Sequence, residues 1–153
     1  KKALREVIRH KGAVCVIAYN EKDETIVTVK QYRYAQEEVL LEIPAGKLDF
    51  AGEDPLDAAK RELSEETGAI AKKYTYLGEI DTTPALMNEK IHLYLAEDIT
   101  FGDRHPDKDE FLDVELVPLG ELYQMVMSGE IKDAKTQVAV LKAAALRQAE
   151  LAN

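Results

Sequence analysis

The chain has 153 residues, of which 46% are apolar and 32% charged, a composition that suits one globular domain spanning 1–153 and excludes a disordered chain. A formal net charge of −9 argues against a nucleic-acid backbone or an anionic membrane as the main partner, and no apolar run approaches the roughly 18 residues of a membrane span. The single cysteine, Cys15, lies in an apolar run and reads as a small core residue; with no internal disulfide possible, the expected setting is a reducing cytoplasm.

Residues 12–19 (GAVCVIAY) and 25–33 (TIVTVKQYR) are rich in β formers and flank a turn-like 20–24, which predicts a hairpin. Residues 39–43 predict a third short strand ended by Pro44, Ala45 and Gly46, followed by a loop over 47–52. A helix is predicted from about Asp54, with Pro55 in its first turn, to Gly68, a residue suited to a C-terminal cap. Residues 74–80 and 90–97 predict strands joined by a long loop, 81–89; 101–110 (FGDRHPDKDE) predicts a polar, acidic loop, and 113–117 one more strand. Two helices follow, 119–128 and 133–151, separated by Gly129. Strands in the middle with helices interspersed predict an α/β or α+β fold in which sheet and helices stack.

The helix over 55–67 is the least comfortable element. At about 100° per residue, Leu56, Ala59 and Leu63 form a core face and Asp57, Lys60 and Ser64 a solvent face, while Glu62, Glu65 and Glu66 gather on a third face. Glu62 and Glu66 form an i,i+4 like-charge pair, which costs a few tenths of a kcal/mol. Glu65 and Glu66 also stand in the last turn, where the helix dipole penalises anions. A solvated acidic face is one reading. Oxygen ligands at this spacing, however, suit a hard divalent cation such as Mg²⁺ or Mn²⁺, and without histidine or cysteine in the cluster a closed zinc site is not expected.

The stretch Arg61-Glu62-Leu63-Ser64-Glu65-Glu66-Thr67-Gly68-Ala69, with Glu53 eight residues before Arg61, resembles the core of the Nudix box, G-x5-E-x7-R-E-U-x-E-E-x-G-U with U apolar. The resemblance runs from Gly12 to about residue 142, and Leu41-Glu42-Ile43-Pro44-Ala45-Gly46-Lys47-Leu48 is similar to the ADP-ribose pyrophosphatase branch of that family. It implies a mixed β-sheet sandwiched between α-helices. It further implies that Glu62 and Glu66 are the principal metal-binding residues, that Glu65 is a further ligand, and that Ala45 offers a backbone carbonyl. Glu53 and Arg61 match positions supporting the loop–helix junction, with Glu53 near metal in some members. One departure is that Lys47 stands at the box glycine position, with Gly46 one residue earlier, so the 47–52 loop carries an extra residue.

Substrate choice is expected to lie outside the helix. Pro84, 15 residues past the box, sits in a stretch that resembles the ADP-ribose branch, with Thr83 for its serine, Ala85 for its glycine, and Glu89 at its glutamate. An ordinary proline turn is the plainer reading. Arg33 stands between Tyr32 and Tyr34; its planar fork suits a phosphate and a flanking tyrosine could stack on adenine, or the tyrosines could be core residues. The acidic loop is expected to hold the catalytic base. Lys108 replaces the glutamate usual there, which makes Glu110 the candidate, with Asp107 and Asp109 behind it. Lone His92 and His105 read as surface or packing residues.

What the resemblance implies is hydrolysis of the pyrophosphate bond of ADP-ribose or a related nucleoside diphosphate sugar, giving AMP and ribose 5-phosphate, with Glu62, Glu66 and Glu110 in catalytic roles and Arg33, Thr83, Pro84 and Glu89 binding substrate. It also implies a homodimer, since such relatives commonly pair. Two alternatives are a Nudix hydrolase acting on a nucleoside triphosphate, and a non-catalytic module that binds ADP-ribose.

Overall fold

The computed structural model describes residues 2–105 and 112–152. Its elements in chain order are β1 (Ala13–Asn20), β2 (Thr25–Arg33), β3 (Glu38–Glu42), β4 (Ala45–Lys47), α1 (Pro55–Thr67), β5 (Ala69–Asp81), β6 (Lys90–Phe101), β7 (Leu112–Pro118), α2 (Leu119–Ser128) and α3 (Ala134–Leu151). Among the described residues, the strands form one mixed sheet with the path β3-β2-β1-β6-β5, while β4 adds to β1 and β7 to β2. β1 runs antiparallel to β2 and parallel to β6.

The unbroken apolar run of β1 has a direct reason. Side chains alternate faces along a strand, and here both faces are covered. Cys15, Ile17 and Tyr19 point into a core shared with Leu122 and Val126 of α2 and Ala139, Val140 and Ala143 of α3. Val14, Val16 and Ala18 point the other way, against Ala58, Ala59 and Leu63 of α1. The sheet is therefore sandwiched between helices, as the resemblance implied. No helix among the described residues is long and apolar enough to cross a membrane.

The α1 boundaries agree with the sequence reading. Asp54 accepts from the Leu56 and Asp57 amides at 2.8 and 3.2 Å, and Gly68 closes the helix at φ 73°. Three features differ by more than one residue. Residues 45–47 form β4, paired with Ala13 to Cys15 of β1, rather than simply ending a strand. β5 starts at Ala69, directly after the helix cap, and β6 runs on to Phe101. The added β5 residues alternate weakly because most of that strand is exposed at the sheet edge, so pairing with β6, not hydrophobic pattern, sets their conformation.

Candidate active site

The expected core face of α1 is only part of what the helix buries. Glu62 and Glu66 are 9% and 2% exposed, with Ala58, Ala59, Leu63 and Thr67 buried beside them. The solvated-face reading is thus corrected: these carboxylates pack under β4, and of the named solvent positions only Asp57 and Lys60 are exposed. Glu66 Oε2 accepts from the Ala45 N–H at 3.1 Å. A Cβ on Gly46 would lie 1.9 Å from Glu62 Cδ, so only glycine lets β4 approach this close. Gly46, one residue before the box glycine position, is thus a place where the fold itself requires glycine.

Arg61 organises the acidic face. Its guanidinium pairs with Glu62 at 2.8 Å, Glu65 at 3.3 Å, and Glu53 and Asp49 each at 3.4 Å. Burial opposes its charge, yet the Glu62 hydrogen bond and the fields of Glu62, Asp49 and Glu53 hold its pKa above the ordinary value. Glu53 also accepts from the Asp49 N–H at 2.6 Å, and Arg61 donates to the Lys47 carbonyl at 3.3 Å. Loop 47–52 is thereby tied to α1.

The anionic end of α1 receives a cation from outside the helix. Arg104 donates from Nε to the Glu66 carbonyl at 3.0 Å and from Nη2 to the Leu112 carbonyl at 2.8 Å. The His105 N–H adds a bond to the Glu65 carbonyl at 3.0 Å.

These groups border a cleft of about 580 Å³ lined by residues that include Arg33, Ala45, Glu62, Glu65 and Glu89 from the sequence-derived set. Glu66 lies behind Ala45, and Glu53 beside Arg61. Thr83 and Pro84 are exposed and not part of the lining. Glu110, Asp107, Asp109 and Lys108 lie outside the described residues. Tyr32 and Tyr34 are exposed, not core. His92 meets the Tyr76 hydroxyl at 3.1 Å, in keeping with a packing role.

Sequence reasoning missed Lys11, Gln31 and Lys135 in the lining, and Glu42 beneath it. The Arg33 fork is already engaged: Nε and Nη2 donate to Glu42 at 2.6 and 2.7 Å. A signal for Glu42 was present, because a carboxylate inside the apolar run VLLEI needs a buried partner. The N-terminal segment also went unread. The His10 ring lies 3.5 Å from Glu89, the His10 backbone N–H donates to Asn88 Oδ1 at 2.8 Å, and the Thr82 hydroxyl donates to Glu89 at 2.5 Å.

Among the described residues no three His, Cys, Asp or Glu side chains stand grouped to hold an ion. The chemistry of the donor set nevertheless fits a hard divalent cation. Glu62, Glu65 and the Ala45 backbone border the cleft with Glu66 behind Ala45, an all-oxygen set with no nitrogen or sulfur ligand among them.

Residues 9–139 match the NUDIX domain. The chain is 42% identical over 142 residues to an ADP-ribose pyrophosphatase of Bacillus subtilis (strain 168), covering 92% of this chain and 76% of that protein. It is 43% identical over 138 residues to a methanol dehydrogenase activator of Bacillus methanolicus, covering 89% and 74%. A crystal structure of an ADP compounds hydrolase shares the fold with a TM-score of 0.80 at 22% identity, covering 91% of this chain and 74% of that one. With its box helix buried against a glycine-bearing strand and its domain match spanning most of the chain, this protein belongs to the Nudix family of hydrolases.

Proposed function

We propose that this hydrolase cleaves the pyrophosphate bond of ADP-ribose, giving AMP and ribose 5-phosphate. The observation that carries the reading is the cleft itself, where Glu62 and Glu65 on one wall face a chamber that Arg33 also lines. Identity to an ADP-ribose pyrophosphatase at 42% supports the choice of nucleotide.

In the proposed reaction, water attacks one phosphorus in line, the bridging P–O bond breaks, and the bridging oxygen leaves with the other phosphate. A divalent cation, Mg²⁺ or Mn²⁺, held by Glu62, Glu65, Glu66 and the Ala45 carbonyl with Glu53 nearby, would supply charge neutralisation and an acidified water. The protein's own groups do the rest. Arg61 orients the Glu62 and Glu65 carboxylates by pairing with both. Arg33 presents positive charge to the phosphates, Glu89 contacts the substrate from the cleft lining, and Glu110 takes the proton from the attacking water.

We also read the protein as a cytoplasmic homodimer. Thr83 and Pro84 are exposed and outside their own cleft, as fits a loop that reaches the cleft of a second copy. Light scattering tests this, and a monomeric mass at assay concentration sinks it.

The deciding experiment is AMP release from ADP-ribose with Mg²⁺, with and without chelator, beside a panel of sugar nucleotides and nucleoside triphosphates. Chelator-sensitive AMP release is the expected result. Binding of ADP-ribose without product would replace the enzyme by a binding module, and preference for another nucleotide would replace the substrate. A second reading rests on the 43% identity to an activator of methanol dehydrogenase: the chain stimulates such a dehydrogenase. Adding the purified protein to a methanol dehydrogenase assay tests it, and an unchanged rate rules it out.

A further inference from the structure

Lys135 stands in the first turn of α3, two residues after the N-cap Asp133. A helix N-terminus carries positive potential, which disfavours a cation. Burial adds a desolvation cost, and the Lys135 side chain is only 8% exposed. It nevertheless lines the cleft. Its ammonium donates to Glu42 Oε2 and, at 2.9 Å, to Asp133 Oδ1. Glu42 is the same carboxylate that holds both Nε and Nη2 of Arg33.

The arrangement is polarised. Arg33 and Lys135 are among the residues lining the cleft, whereas Glu42 and Asp133 are not. Asp133 is further committed to the helix, accepting from the Thr136 N–H at 2.9 Å and its hydroxyl at 2.6 Å. A guanidinium paired with a carboxylate in a bidentate way loses much of its outward field to that partner. A second cation on the same carboxylate offsets the loss. The same helix end also fixes the neighbouring strand, because Thr136 Oγ1 accepts from the Ile43 N–H at 3.0 Å.

We propose that Lys135 is a positioning residue which, through Glu42, keeps the charge and orientation of Arg33 available to the substrate's phosphates. The proposal rests on the reading of this cleft as a pyrophosphate site. Lys135 need not touch the substrate, and its effect is expected on binding more than on turnover.

The test uses the full chain with Lys135→Met, Lys135→Gln and Lys135→Arg. ADP serves as the diphosphate probe by calorimetry in chelator, so that no metal contributes, and ADP-ribose turnover gives KM and kcat. Lys135→Met and Lys135→Gln should weaken ADP binding and raise KM by about tenfold, the scale of one lost charge at this range. Their kcat should change far less, and Lys135→Arg should stay near wild type. Lys135→Gln keeps donors for Glu42 and Asp133, and it decides the matter should Lys135→Met fail to fold. The proposal is overturned if folded Lys135→Gln matches wild type in ADP affinity, equal absence of binding included. It is also overturned if Lys135→Arg is as impaired as Lys135→Gln. Should the wild type leave ADP-ribose uncut, the substrate reading fails, while the ADP affinities still decide the role of Lys135.

Discussion

Glu66 is held where two effects oppose its charge: burial, and the negative end of α1. A glutamine there keeps an oxygen acceptor for the Ala45 N–H, so Glu66→Gln should fold normally. If Glu66 binds the cation, turnover should fall on the order of a hundredfold or more. Unchanged kcat with ADP-ribose would falsify the metal assignment. Gly46 gives a steric counterpart. Its missing Cβ is the space taken by the Glu62 carboxylate, so Gly46→Ala must displace either β4 or Glu62. Overpacking of this kind costs about 1–3 kcal/mol. Both a lower melting temperature and lost turnover are expected, and a variant with wild-type activity would show that Glu62 can move without consequence. Cys15 offers a simpler check, because burial pushes its thiol up to about 12. A thiol reagent at about pH 8, near the ordinary thiol pKa, should label it only at the rate of unfolding, and fast labelling of the native protein would contradict its place in the core.

At the scale of elements, α1 and α3 each carry charge against their dipole, and each is compensated through tertiary contact. The last turn of α1 has no basic residue of its own, so Arg104 supplies one by bonding the Glu66 carbonyl. Arg104→Met should therefore cost about 1–3 kcal/mol, seen as a drop of several degrees in thermal unfolding for a domain of this size. No change in melting temperature would mean that solvent serves the carbonyl equally well. In α3, burial works against the Asp133 charge, but Lys135 and the Thr136 bonds outweigh it and hold its pKa below the usual carboxylate range. A depressed carboxylate contributes stability that is present above the unfolded value, about 4, and is lost as pH falls through the lower folded value. For Lys135, burial is outweighed by Asp133 and Glu42, and its pKa is raised. That contribution is present below the unfolded value, about 10, and is lost as pH rises through the folded one. The network thus stabilises the fold across the neutral range. Asp133→Asn should flatten the acid limb of a melting-temperature profile below about pH 4, and an unaltered acid limb would locate the acid sensitivity elsewhere.

For the molecule as a whole, the formal charge of −9 poses a problem for any anionic substrate. The fold answers it locally: Lys11, Arg33, Lys47, Arg61 and Lys135 line the cleft against Asp49, Glu62, Glu65 and Glu89. The chamber is close to charge-balanced before any cation binds, while the rest of the surface carries the acidic excess. The sequence by itself was enough for the layered class, for the span of α1 with both caps, and for the acidic face, because those follow from local periodicity, capping chemistry and exact spacing in the box. Tertiary structure alone decided the rest. β4 is a strand only because β1 offers its edge. Glu62 is buried only because Gly46 permits close approach. Lys135 meets Glu42 across 93 positions of the chain, and Arg104 reaches Glu66 across 38; no local pattern encodes such pairings. Charges placed against local electrostatic preference are visible in sequence, but the partners that make them tolerable come from the fold.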